Sequence, residues 1–169
     1  MKNIFFQISL TMLSSLMLIQ STHAISPITY EQAWNTATQH LQMNDNNHHT
    51  NNLSNLVGAD LASDIRMRFF GIPKQLSTTA PAITTFFLEK NDFTNYIKVT
   101  FSDNMFSKIR TYLEEKISDK SLHEDIYDVI YFAIDFLILG YHNYHNESND
   151  INLINEGIID ITKAVILLS

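Results

Sequence analysis

The sequence predicts an all-α fold, a single compact multi-helix bundle of five to seven helices behind an N-terminal signal peptide. Three observations carry this expectation. Apolar residues recur at three- and four-residue intervals through most of the chain, the period of a helix face. Several of these stretches open on residues that cap helix N-termini. The one segment that alternates like a strand, Phe93 to Phe101, has no clear partner elsewhere, and a lone strand is not stable.

The elements follow in chain order. Met1-Lys2-Asn3, an apolar stretch from Ile4 to Ile19, and the polar run Gln20 to Ala24 make the tripartite pattern of a secretory signal peptide. Thr22 and Ala24 sit at the −3 and −1 positions of a cut before Ile25. Residues 1–24 are therefore read as a leader and 25–169 as one helical domain, long enough to bury a core. Thr29-Tyr30-Glu31-Gln32 forms a capping box with Ile28 and Ala33 as its hydrophobic staple. It opens a helix over about 30–43, with Tyr30, Trp34, Ala37 and Leu41 on one face. Asn44 to Asn52 is wholly polar and reads as a loop. Leu53, Leu56, Val57, Leu61, Ile65 and Phe69 predict a helix over 53–70, stopped by Gly71 and Pro73.

After a linker over 74–80, Pro81 suits the first position of a short helix reaching about Lys90. Residues 93–101 are read as helix with Asp92 as N-cap. Asp103 caps the next, with Met105, Phe106, Ile109, Leu113 and Ile117 as its stripe. A second capping box at Ser121–Glu124 opens a helix over about 122–142. This is the most apolar helix and the expected centre, with Leu122–Leu139 the most buried stretch. Ser148 caps a last helix carrying Ile151, Ile154, Ile158, Ile161, Val165 and Leu168.

Composition removes several function classes. The 169 residues include no cysteine, so disulfides and thiolate metal sites are impossible. Four glycines leave little for phosphate-cradling loops. A net charge of −7 makes the chain a poor ligand for phosphate backbones, so nucleic acid is not an expected partner. No segment of the mature chain is long and apolar enough to span a membrane. No nucleophile elbow or other catalytic motif appears, and no motif calls for a cofactor. A cysteine-free exported domain fits a bacterial periplasm or an extracellular location better than a small disulfide-stapled secreted protein.

The charge is uneven. Residues 25–120 carry nine basic and ten acidic side chains, whereas 121–169 carry Lys163 alone against eight acids. With about 100° per residue, Glu124, Asp128, Tyr131, Asp135 and His142 fall within an arc of roughly 60° on one helix face. Such a stripe is first of all the wet side that any amphipathic helix needs, and beside that solvated face two functional readings stand. In the first it is a partner-binding face, with Glu124, Asp128, Tyr131 and Asp135 steering a basic protein, as an inhibitor, immunity-type protein or assembly factor would. In the second, Asp135, His142, His145 and Glu147 make a metal site, because helical bundles build such sites from carboxylates and imidazoles. His48, His49 and Asp45 form a weaker polar group on a loop. Asp135 stands in an otherwise apolar run, so its burial against Arg66 or Arg68 is also expected. The function expected overall is a non-catalytic binding role of an exported protein, the alternative being a metal-dependent enzyme or metal carrier.

Overall fold

The computed structural model describes residues 26–43, 51–74, 80–89 and 103–169. The leader, the polar loop with His48 and His49, and the helix expected over 93–101 with its Asp92 cap lie outside these residues. Among the described residues the chain is all-helical, with seven helices: α1 (Tyr30–Met43), α2 (Leu53–Val57), α3 (Ala59–Phe70), α4 (Ala80–Leu88), α5 (Asp103–Lys116), α6 (Ser121–Tyr144) and α7 (Ile151–Leu168).

Local chemistry sets most of the boundaries. At α1 the capping box forms as expected: the Thr29 N–H donates to Gln32 Oε1 at 2.9 Å and the Gln32 N–H to Thr29 Oγ1 at 3.2 Å. Each satisfies a backbone donor that the first turn leaves without an intrahelical partner. Gly71 adopts the left-handed conformation (φ 62°) that ends α3. The α4 helix opens at Ala80, one residue ahead of Pro81.

Three expectations need correction. The helix expected over 53–70 is broken at Gly58, whose φ of 80° and ψ of 159° are open essentially to glycine alone. Gly58 donates to the Ser54 carbonyl and accepts from the Ala62 N–H, so one residue closes α2 and opens α3. At α6 the Ser121–Glu124 capping box does not form. Asp119 takes its place, accepting from the Ser121 N–H at 3.0 Å and the Ser121 hydroxyl at 2.6 Å. At α7 Asp150 replaces Ser148 as cap and accepts from the Asn152 N–H at 2.9 Å. In both places a carboxylate oxygen takes the role expected of a serine hydroxyl, being a stronger acceptor in the positive field of the helix N-terminus.

The centre of the bundle is α7 rather than α6. It packs against α1, α2, α4 and α6. From Gly157 to Leu168 every residue is buried except Lys163 and Ile166. A helix enclosed on all sides marks the middle of a core. The expected most-buried stretch, Leu122–Leu139, instead belongs to an amphipathic helix: Ile126, Val129, Ile130, Ala133, Ile134 and Leu137 face inward, while Glu124, Asp128, Tyr131, Asp135, Ile138 and Leu139 are exposed. The main core joins all seven helices, with Leu41 of α1 at its edge, around Ile65, Phe70, Phe87, Ile109, Ile130 and Val165. A second cluster seats Ala33 and Ala37 of α1 on Ile158 and Ile159 of α7. The Ile28 N–H adds a bond to Asn155 Oδ1 at 2.9 Å, which ties the start of α1 to α7. Phe69 and Phe70, adjacent at the end of α3, are both buried.

The tightest contact lies between α6 and α7. Gly140 and Gly157 face each other where the two backbones nearly touch. A Cβ on Gly157 would lie 2.6 Å from the Gly140 carbonyl oxygen and 2.8 Å from Tyr144 Cα. A Cβ on Gly140 would lie 2.8 Å from the Ile161 nitrogen and 2.9 Å from the Gly157 carbonyl oxygen. These obstacles are main-chain atoms, which cannot swing aside.

Gly157→Ala is therefore expected to destabilise the fold by about 2 kcal/mol or more, because forced overpacking outweighs the roughly 1 kcal/mol that alanine gains over glycine in a helix. Urea midpoints check this, and a variant as stable as the parent would contradict the close contact.

Candidate functional site

The site is built from α6 outward. Its inner face is held by the core, so its outer face is displayed in a fixed register. Along that face Glu124, Asp128, Tyr131, Asp135, Ile138 and His142 follow one another at three- and four-residue steps, with Leu139 beside them, and all are exposed. At 1.5 Å per residue the stripe is roughly 27 Å long. Tyr131 is 44 % exposed, Ile138 40 % and Leu139 49 %, so the acids share the face with large apolar surfaces.

The flank toward α5 is aromatic. The Phe106 ring lies 5.8 Å from Tyr131 and 6.1 Å from Tyr127. Arg110 sits over Tyr127 at 5.2 Å. Phe106, with Phe132 edge-on at 6.0 Å, braces Tyr131, which stays partly exposed. Beside them a notch of about 120 Å³ opens between α5 and α6, lined by Arg110, His123 and Glu124 among others. His123 itself is engaged, with Nε2 at 2.8 Å from the Ile117 carbonyl.

The sequence-predicted acids fall as follows. Glu124, Asp128, Tyr131 and Asp135 come together on one accessible face. Asp135 is exposed and not buried against an arginine. Its apolar neighbours still withdraw water from it, and this desolvation pushes its carboxyl above the usual aspartate value. Arg66 points elsewhere, donating from Nη1 to the Leu168 carbonyl at 2.7 Å and the Ser169 main-chain oxygen at 3.2 Å. Arg68 lies over the Tyr112 ring at 4.8 Å.

The metal reading fares differently. Among the described residues no three His, Asp or Glu side chains are grouped so as to hold a metal ion. His145 packs its ring 4.2 Å from Tyr141 and 4.9 Å from Tyr144, and burial lowers its pKa. His142 and Glu147 are exposed. The loop after α6 is organised by Asn146, whose Oδ1 accepts from Ser148 Oγ at 2.6 Å and the Asp150 N–H at 3.0 Å. That turn is closed by an amide, with no ion needed.

The buried acid that sequence reasoning missed is Asp160. It is paired with Lys163 at 2.8 Å, the two side chains being 5 % and 12 % exposed. Lys163 also lies over the Phe136 ring of α6 at 4.9 Å. Burial pushes the Asp160 carboxyl upward against the pull of Lys163; Glu156 pushes the same way as burial and His40 the opposite way. The i, i+3 spacing was the signal that could have found this pair. Its packing makes it an internal support for the site-bearing helix.

Comparison with protein-family models, with curated proteins and with solved structures finds no match. The geometry alone bears on what the chain does.

Two expectations follow. Asp160→Asn leaves the largely covered Lys163 without its counter-charge and should cost about 3 kcal/mol, whereas Asp160→Asn with Lys163→Met should recover most of that loss. Equal destabilisation by the single and double variants in chemical denaturation would contradict the pairing. Asp135 has the opposite character. A carboxyl with a raised folded pKa binds more protons folded than unfolded, so it lowers stability as pH rises from the unfolded value through the folded one. Asp135→Asn should thus raise stability near neutral pH by at most about 0.5 kcal/mol and leave it unchanged near pH 3. A loss of stability at neutral pH would show that the carboxylate is held by a favourable contact.

Proposed function

We propose that this chain is an exported, non-catalytic binding protein whose α6 outer face receives a basic protein partner. One observation carries the reading: three exposed carboxylates, Glu124, Asp128 and Asp135, lie in line on a rigid helix with exposed Tyr131, Ile138 and Leu139 between and beside them. Carboxylates alone are an ordinary solvated surface. Large apolar side chains interspersed among them are the mixture that a protein interface uses, with apolar anchors for affinity and charges for steering and register. Tyrosine is a frequent anchor in such interfaces, and Tyr131 is braced by Phe106. The partner this face fits is an amphipathic surface with lysines or arginines flanking an apolar ridge. Inhibitors, immunity-type proteins and assembly factors work this way. The leader pattern of residues 1–24 supports a place outside the cytoplasm, in a bacterial periplasm or beyond the cell.

The test is comparative capture from envelope extract and culture medium, using the chain starting at Ile25. A specific partner should be held by the parent and released by added salt. It should be lost from the Glu124→Lys, Asp128→Lys, Asp135→Lys triple variant and weakened by Tyr131→Ala. Capture of the same proteins by the parent and the charge-reversed chain would sink the proposal.

A further inference from the structure

We infer that a second site, a cleft between α3 and α5, binds a small aromatic carboxylate. The cleft is open to solvent and has a volume of about 690 Å³, within the range of roughly 300–1,000 Å³ typical of small-molecule sites. It is separate from the α6 face, because α5 turns different sides to the two. Asn104, Lys108 and Glu115 look into the cleft, whereas Phe106 and Arg110 lie against α6.

The lining specifies the ligand. Its floor is Phe69, Met105 and Tyr112, all buried, with Phe69 meeting Tyr112 edge-on at 5.5 Å. Such a floor suits a flat apolar body. Two cations, Arg68 and Lys108, stand at its walls. The Arg68 guanidinium lies over the Tyr112 ring at 4.8 Å, and a guanidinium offers paired N–H donors that match a carboxylate. Burial, with Asp64 nearby, raises the Tyr112 hydroxyl above its usual pKa, and a phenol is a hydrogen-bond donor at neutral pH. Asp64 is already taken: Lys74 bonds to it and, with Arg68 and Lys116, holds its carboxyl below the usual range. Glu115 is the opposing charge within the lining. Among the described lining residues two cations stand against one carboxylate, which leaves room for a single negative charge and favours a monocarboxylate over a phosphate or a dianion.

The probe is 1-naphthoate, titrated into the chain starting at Ile25 and followed by calorimetry, with naphthalene-1-methanol and inorganic phosphate as comparison arms. Saturable binding of the naphthoate is expected, with the neutral alcohol at least about tenfold weaker and phosphate unable to displace it. Arg68→Gln and Lys108→Gln should each weaken binding by about tenfold or more, the effect of losing a charge-assisted hydrogen bond. Ser107→Trp, at an exposed lining position, should abolish binding by filling the cleft while the melting temperature is kept. Absence of saturable binding, equal affinity for the neutral alcohol, displacement by phosphate, or unchanged affinity in folded Arg68→Gln and Lys108→Gln variants would each overturn the assignment.

Discussion

The arrangement of this protein depends on one close approach, the main-chain contact between Gly140 of α6 and Gly157 of α7. Two helices joined by a short loop lie antiparallel, and their separation is normally set by side chains. Here neither helix has a side chain at the crossing, and a Cβ on either glycine would lie within 3 Å of main-chain atoms of the other helix. The axes are drawn together, and the residues on both sides of the crossing interlock more deeply. Ile161 comes against Gly140, and Tyr144 against Gly157. This pairing places α7 so that α1, α2 and α4 can close around its remaining sides.

Enclosing α7 requires that its polar groups be answered internally. Asp160 and Lys163 answer one another, with the Phe136 ring beneath the ammonium. Thr162 donates to the Ile158 carbonyl at 2.7 Å. At the C-terminal end of α7, where carbonyls lack intrahelical donors, buried Arg66 reaches across from α3 to the Leu168 and Ser169 oxygens, and the Ser54 hydroxyl joins it at Ser169. A guanidinium there also meets the negative end of the helix dipole. Arg66 thus joins the α2–α3 segment to the central helix, a structural duty that a charged residue in an amphipathic stripe does not advertise.

These cases separate what the sequence reveals from what it hides. The helical class, the α1 boundaries with their capping box, and the Gly71 stop were legible, because each rests on residues adjacent in the chain. The exposed grouping of Glu124, Asp128, Tyr131 and Asp135 was legible for the same reason: helical periodicity alone puts them on one face. The centre of the fold was misjudged because Asp160 and Lys163 make α7 look half-wet, and only tertiary packing cancels their charges. The break at Gly58 was hidden by an apolar stripe that runs on across it. The contacts of Arg66 with the end of α7, and the cleft that Arg68 and Tyr112 border, bring together residues distant in sequence, and no local pattern joins them. The charge asymmetry of the chain takes a spatial form in consequence. An acidic, partly apolar ridge lies along α6, and a cationic cleft lies across α5 from it.

Amide hydrogen exchange followed by NMR tests the central claim most directly, since the slowest amides report the part of a fold that opens only when everything opens. If the glycine-mediated pairing of α6 with α7 organises the molecule, the amides from Ile158 to Leu168, together with those from Ile126 to Leu137, should form the slowest class and exchange at the rate of global unfolding. Faster exchange of the α7 amides than of those in α1 or α5 would contradict the account.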